Sequence, residues 1–120
     1  MATILIVEDN PQNMKLAALL LESAGHEVLR ASDAETGVVL ARTCSPRLIL
    51  MDVQLPGTDG LCATRGLKRD PVTAAIPVYA LTACAMPGDE ARIREAGCDG
   101  YITKPIRHHE FLRVVAAAIA

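Results

Sequence analysis

Tryptophan is absent from this chain, and two tyrosines and one phenylalanine are its only aromatic residues. Stacking platforms for bases or a flavin ring are therefore scarce. The four cysteines (Cys44, Cys62, Cys84, Cys98) form no CxxC pair and have no histidine at ligand spacing. That pattern argues against a zinc centre or a redox dithiol, and the thiols are expected to be small buried or half-buried hydrophobes in a reducing compartment. Long apolar runs are missing as well: Leu16–Leu21 and Val114–Ala120 are the longest, each far short of a membrane span. Nor is there an excess of basic charge. Twelve Lys and Arg stand against fourteen Asp and Glu, a net charge of −2, which disfavours a dedicated nucleic-acid or anionic-membrane surface. Met1-Ala2-Thr3 offers no basic n-region of a secretory leader. A cytoplasmic protein with neither nucleic acid nor membrane as partner is the expectation.

What is present is core-forming material. Of 120 residues 51% are hydrophobic and 22% charged, enough for one domain spanning 1–120 and too much apolar content for a disordered tail. Nineteen alanines suggest closely packed helices. Short apolar runs alternate with longer helical patterns. Ile4-Leu5-Ile6-Val7 is a continuous, β-branched strand run; Asn10 then caps a helix with Pro11 at its first position, ending at Gly25. Glu27–Ala31 is a more polar strand, as suits a sheet edge. Ser32-Asp33-Ala34-Glu35 has the form of a capping box opening a helix to about Thr43, broken by Ser45-Pro46.

Leu48–Met51 is the third strand, followed by Asp52 and a turn-rich stretch to Gly60. A helix with Gly60, Ala63 and Leu67 on one face comes next, and then a strand from Pro77 to Thr82. Pro87–Ala96 is a short charged helix with Ile93 as its chief apolar anchor and Gly88 in its first turn, so it should be among the less stable parts. Tyr101-Ile102 is a brief fifth strand. The last helix presents Leu112, Val115, Ala116 and Ile119 at helical spacing. Five strand–helix units imply an α/β fold, a doubly wound five-stranded parallel sheet with helices on both faces. Right-handed crossovers leave two usual orders, of which 2-1-3-4-5 suits five strands.

In such sheets ligands bind beyond the carboxyl ends of the strands. There the first strand delivers Glu8 and Asp9, the third Asp52, the fourth Thr82 and the fifth Lys104. Each has a plain structural reading: acids at a helix start, an aspartate organising a turn, a strand-end hydroxyl bonded to backbone, a solvated lysine. Taken together they ask for more. Three acids repel one another unless a cation lies among them, so the set predicts a hard divalent ion with oxygen ligands. An aspartate beside such an ion can act as nucleophile toward a phosphoryl group, with Lys104 and Thr82 balancing the phosphoryl oxygens. No base stands ready to drive fast hydrolysis, and a long-lived phosphoryl-aspartate describes a signal better than a turnover catalyst.

These residues resemble a known family. Val7-Glu8-Asp9-Asn10, Leu50-Met51-Asp52 with Leu55-Pro56 and Asp59-Gly60, Ala80-Leu81-Thr82-Ala83, and Tyr101-Ile102-Thr103-Lys104-Pro105-Ile106 are similar to the receiver domain of bacterial response regulators, the CheY-like (βα)5 flavodoxin-like fold. The likeness covers essentially the whole chain and carries the 2-1-3-4-5 order with it. Asn13-Met14-Lys15-Leu16, Gly88-Asp89-Glu90 and Arg92-Ile93-Arg94-Glu95 resemble, within that family, the single-domain DivK type of cell-cycle regulator.

The resemblance implies a switch of a two-component phosphorelay rather than an enzyme. Asp52 would accept a phosphoryl group from a phosphohistidine of a histidine kinase or histidine phosphotransfer protein. Mg2+ would be held by Asp9, Asp52 and the Gln54 carbonyl, with Glu8 acting through water. Thr82, Ala83 and Lys104 would hold the phosphoryl oxygens, and the Lys104–Pro105 bond would be cis. Tyr101 would turn inward as Thr82 moves, remodelling the face of the fourth helix, fifth strand and fifth helix for a downstream protein target. A monomer or weak dimer is expected.

Thr58 stands where the family often has Met, which should alter loop packing. Gln54 and Cys84, each two residues past a site residue, would line the path of attacking water, and Cys84 is expected to be an inert thiol. His108 and His109, about 100° apart on a helix, are expected as a solvated helix start rather than a metal site. Two alternatives share the chemistry: a receiver module cut from a hybrid histidine kinase, and an aspartate-nucleophile phosphatase. The phosphatase wants an acid two residues beyond the nucleophile, where Gln54 cannot serve. A flavin module on the same architecture is disfavoured by the scarce aromatics.

Overall fold

The computed structural model describes residues 2–55, 57, 59–83 and 87–120. Thr58, Cys84 and the Pro56 of the Leu55-Pro56 pair lie outside the described residues. The chain forms β1 (Thr3–Val7), α1 (Pro11–Ser23), β2 (Glu27–Ala31), α2 (Ala34–Cys44), β3 (Leu48–Asp52), α3 (Gly60–Arg69), β4 (Val78–Thr82), α4 (Pro87–Glu95), β5 (Gly100–Thr103) and α5 (His108–Ile119). The strands pair in the order β2-β1-β3-β4-β5, and each of the four pairings is parallel. This is the doubly wound flavodoxin-like order that suits five strands and that the receiver resemblance implies.

Side chains on a strand alternate between faces, so each central strand feeds two cores. Ile4 and Ile6 of β1, with Leu48 and Leu50 of β3, face α1 and α5 and meet Ala17, Ala18, Leu21, Phe111 and Val115. Leu5 and Val7, with Ile49 and Met51, face the other way, onto Ala34 and Ala41 of α2, Leu61, Ala63 and Leu67 of α3, and Ile93. Both faces are needed to bury runs with no polar alternation. β2, at the edge, is the partly exposed strand that its composition predicts.

The Asn10 side chain accepts from the backbone N–H of Gln12 at 2.9 Å and Asn13 at 3.1 Å, with Pro11 opening the helix. The start of α2 departs from expectation. Asp33, not Ser32, is the cap: its carboxylate accepts from Thr36 N–H at 2.7 Å, and that bond holds its pKa below the usual aspartate value. The helix therefore begins one residue later than a capping box from Ser32 would set it, because an extended Asp33 already satisfies the first free N–H. At the other end Ser45 adopts a left-handed φ of 46° and stops α2.

Two further expectations are corrected. Of the expected α5 stripe, Val115 is buried and Leu112 and Ile119 are half-buried against the same core, but Ala116 is exposed. Phe111, fully buried, and the half-buried Ala118 complete the stripe instead. Cys98 is buried, but Cys44 and Cys62 are exposed; Cys62 falls between the buried Leu61 and Ala63, and so on the outer side of α3. His108 and His109 are both exposed at the start of α5, the solvated helix start expected of them, and their rings stack with centroids 4.9 Å apart and planes within 9°.

Candidate functional site

The carboxyl ends of β1, β3, β4 and β5 open onto a cleft of about 360 Å³. Its lining brings together Glu8, Asp52, Gln54, Thr82, Ala83 and Lys104 of the predicted set. Asp9 is exposed at the mouth, in an adjoining trough that shares Val53, Gln54 and Asp59 with the cleft. The convergence follows from register. Val7 lies beside Met51, Asp52 beside Leu81, and Thr82 beside Thr103, so residues at or just beyond these ends must meet on one rim.

Burial separates the acids. Glu8 is 2% exposed and Asp52 4%, whereas Asp9 faces solvent. Lys104 reaches in from beyond β5, its Nζ 2.7 Å from Glu8 Oε1 and 3.1 Å from Asp52 Oδ2. Glu8 Oε1 makes no hydrogen bond of regular angle, and the ammonium contact is its compensation. The other oxygens are held by backbone: Asn10 N–H donates to Glu8 Oε2 at 3.2 Å and Gln54 N–H to Asp52 Oδ1 at 3.0 Å. Lys104 is itself placed by its N–H, which donates to Thr82 O at 2.8 Å, and the Lys104–Pro105 peptide is cis.

Gly60 explains how closely the wall approaches Asp52. A Cβ there would lie 1.9 Å from the Asp52 carbonyl oxygen, so only glycine lets α3 begin against the strand end.

Electrostatics follow from this packing. Burial first, and then the hydrogen-bonded Asp52 carboxylate, push Glu8 up to about 7 against the opposing pull of Lys104. Burial by itself lowers the Lys104 ammonium, but its bonds to Glu8 and Asp52 outweigh that and hold it above the ordinary lysine value. One ammonium is thus shared by two buried acids, with a third carboxylate close by. Glu8, Asp9 and Asp52 offer oxygens that all lie within 4.8 Å of one another. An all-oxygen donor set of that span fits a hard divalent cation and suits neither zinc nor copper, which favour nitrogen and sulfur.

Sequence reasoning gave no site role to five polar lining residues, Asn10, Asn13, Asp59, Asp89 and Arg92. For Asn10 and Asn13 the capped start of α1 was a usable sign, since it follows the β1 end directly. Asp89 and Arg92 stand in segments that carry the DivK resemblance, but nothing local marks them for the cleft, which they reach only because α4 lies against β5. Tyr101 is half-buried and packs against the core on the α2–α3–α4 side.

The family model for the response regulator receiver domain matches residues 4–116. The chain belongs to that family. It is 48% identical over 113 residues to the polar-differentiation response regulator DivK of Brucella anthropi, covering 94% of this chain and 92% of that protein. Among solved structures, the receiver domain of a sensor histidine kinase from Pseudomonas aeruginosa is 36% identical with a TM-score of 0.91 over 98% of this chain and 97% of that one. It holds a magnesium ion coordinated in its active-site cleft. The chemotaxis protein CheY4 of Vibrio cholerae, at 23% identity, shares the fold with a TM-score of 0.93 over 98% of each chain. The chain is therefore a receiver domain of two-component signalling, a signalling module rather than a conventional enzyme. Among the described residues no helix is long and apolar enough to cross a membrane.

Proposed function

We propose that the 120 residues act as one phosphorylation-dependent switch in which Asp52 is the phosphoryl acceptor. The observation that carries this reading is the placement of Asp52: a buried carboxylate 3.1 Å from an ammonium, in a cleft that a hydroxyl residue, Thr82, also lines. Asp9 and Asp52, with the Gln54 carbonyl and Glu8 through water, would hold Mg2+. When bound, the ion supplies neutralisation of the phosphoryl oxygens.

The chain's own groups do the rest. A carboxylate oxygen of Asp52 attacks phosphorus, and the P–N bond to the donor histidine breaks. The electron pair leaves with the imidazole nitrogen, giving an acyl phosphate and neutral histidine once a proton is taken up. Lys104 pairs with one phosphoryl oxygen as its hold on Asp52 loosens. Thr82 and the Ala83 N–H hold the others. Gln54 supplies no acid, so hydrolysis is slow and the modification lasts long enough to be read. The donor is a histidine kinase or histidine phosphotransfer protein.

Drawing Thr82 toward the phosphoryl group opens room for Tyr101 and changes the α4–β5–α5 face, the contact surface for a downstream protein. Couplings of this kind are typically about 1–3 kcal/mol, enough to shift populations between existing states. The likeness to DivK favours a stand-alone regulator of polar differentiation over a module of a hybrid kinase.

Incubation with Mg2+ and acetyl phosphate, followed by intact mass, tests the acceptor. One added phosphoryl is expected, absent in Asp52→Asn and without Mg2+. Steady phosphate release at enzyme-like turnover would instead make the protein a phosphatase. Tyr101→Ala is expected to keep phosphorylation within about twofold of wild type while weakening partner response by the coupling energy, roughly tenfold. Equal loss of both would make Tyr101 structural.

A further inference from the structure

The acceptor cleft has a second basic side chain that does not touch Asp52. Arg92 of α4 lines the cleft together with Glu8, Asp52, Thr82 and Lys104, and so does Asp89, one turn earlier on the same helix. The two form a loose ion pair. Arg92 Nη1 is 3.6 Å from Asp89 Oδ1, beyond hydrogen-bond range, and the arginine side chain is 61% exposed. Lys104, by contrast, is committed to two acids at 2.7 Å and 3.1 Å. The charge count of the described lining favours acids: Glu8, Asp52, Asp59 and Asp89 against Lys104 and Arg92.

A phosphoryl group on Asp52 would add roughly −1.5 to −2 charge to this cleft. A lysine already shared by two carboxylates cannot balance it alone. A guanidinium presents a planar fork of donors that matches phosphoryl oxygens two at a time, and it remains charged at any working pH. A loose ion pair whose arginine is exposed contributes little, so the guanidinium meets little resistance to exchange.

We propose that Arg92 is a phosphoryl-contacting residue of this site, exchanging Asp89 for the phosphoryl oxygens once Asp52 is modified. The inference rests on the Asp52 reading and deepens it. In the resting state the guanidinium has Asp89 as its ion-pair partner, while Lys104 serves Asp52. In the modified state Arg92 screens the acyl phosphate from water and draws α4 against the cleft. Ile93, the next residue, is buried in the core, so the pull on Arg92 reaches the packing of the helix. The charge of the phosphoryl group thereby acts on α4 directly, in parallel with the movement of Thr82.

The test uses the full chain with Mg2+ and fluoroberyllate as a non-hydrolysing stand-in for the phosphoryl group. Arg92→Ala should weaken fluoroberyllate binding about tenfold, the scale of a charge-assisted hydrogen-bond pair in a partly solvated cleft, and flatten its salt dependence. Arg92→Lys should recover only part of the loss, lacking the fork. Asp89→Asn should tighten binding about threefold in the wild-type background and less where Arg92 is already alanine. Melting temperature of the unmodified proteins checks folding, and no variant should move it by more than about two degrees. Equal affinity and salt slope for Arg92→Ala and wild type would overturn the proposal, as would an Asp89→Asn effect independent of Arg92. The Asp52 reading survives either result if wild type binds fluoroberyllate and Asp52→Asn does not. A wild type that neither binds it nor takes up a phosphoryl group from acetyl phosphate would overturn both.

Discussion

Helices α3 and α4 both line the cleft, yet they are held in different ways. α3 buries Gly60, Leu61, Ala63, Thr64 and Leu67. The Asp59 carboxylate caps it by accepting from Leu61 N–H at 2.7 Å. Its last turn is fastened by Lys68, whose Nζ donates to Ile76 O at 2.8 Å and to Asp99 Oδ2 at 2.9 Å. The same Asp99 oxygen accepts from Val78 N–H at 2.9 Å, so α3, the start of β4 and the approach to β5 share one knot. α4 has Ile93 in the core, with Ala96 just past its end. Its ion pairs Arg92–Asp89 and Arg94–Glu90 are made along its own surface. One wall of the cleft is registered against the sheet; the other is free to answer a change of charge. On the proposed function both are needed, because an acceptor must stay aligned while its surroundings move.

The largest expected effect that tests this contrast comes from truncating the two anchors. Leu67→Ala should cost about 3 kcal/mol in urea unfolding, a cavity in a core that cannot collapse. Ile93→Ala should cost less, because its loss cannot exceed the free energy of letting α4 come away locally. Hydrogen exchange should then show the α4 amides opening well before the α3 amides. Equal costs and equal protection would erase the distinction between the walls.

Next in size is Gly60→Ala. The added methyl meets the Asp52 carbonyl oxygen and should destabilise by roughly 2–3 kcal/mol, with acceptor activity falling as the strand end shifts. Wild-type stability would mean that α3 can retreat from the sheet and is not the fixed wall. The smallest effect belongs to Lys68→Met, which keeps the apolar stem but strips a donor from Ile76 O and Asp99. A loss of about 1–2 kcal/mol is expected, without change in fluoroberyllate affinity. A change in affinity at unaltered stability would tie the knot to the site.

The strands and the rim residues were legible for a simple reason. Ile4–Val7 and Leu48–Met51 are continuous apolar runs that only a sheet buried on both faces can absorb, and the polar residue ending each run is then placed by covalent connection. Asn10-Pro11 and Ser45-Pro46 carry their caps and breaks locally. Where two local solutions compete, the sequence does not choose. Ser32 and Asp33 can each cap α2, and the extended backbone at Asp33 decides. The burial of Phe111 and exposure of Ala116 on α5, and the exposure of Cys44 and Cys62, depend on which side of a helix meets the sheet. Lys68, Asp99, Asp89 and Arg92 were silent for a deeper reason: each has meaning only through a partner or a cleft assembled from other elements.

The sequence by itself determined the order of elements, the parallel doubly wound class and the identity of the strand-end acids, hydroxyl and ammonium, because hydrophobic period and chain connectivity are properties of short segments. Only the tertiary structure decided that Lys104 is shared between Glu8 and Asp52, that Gly60 brings α3 onto the Asp52 carbonyl, and that Arg92 stands at the cleft paired with Asp89. Those are distances between residues far apart in the chain, and they are set by how two cores pack on opposite faces of one sheet.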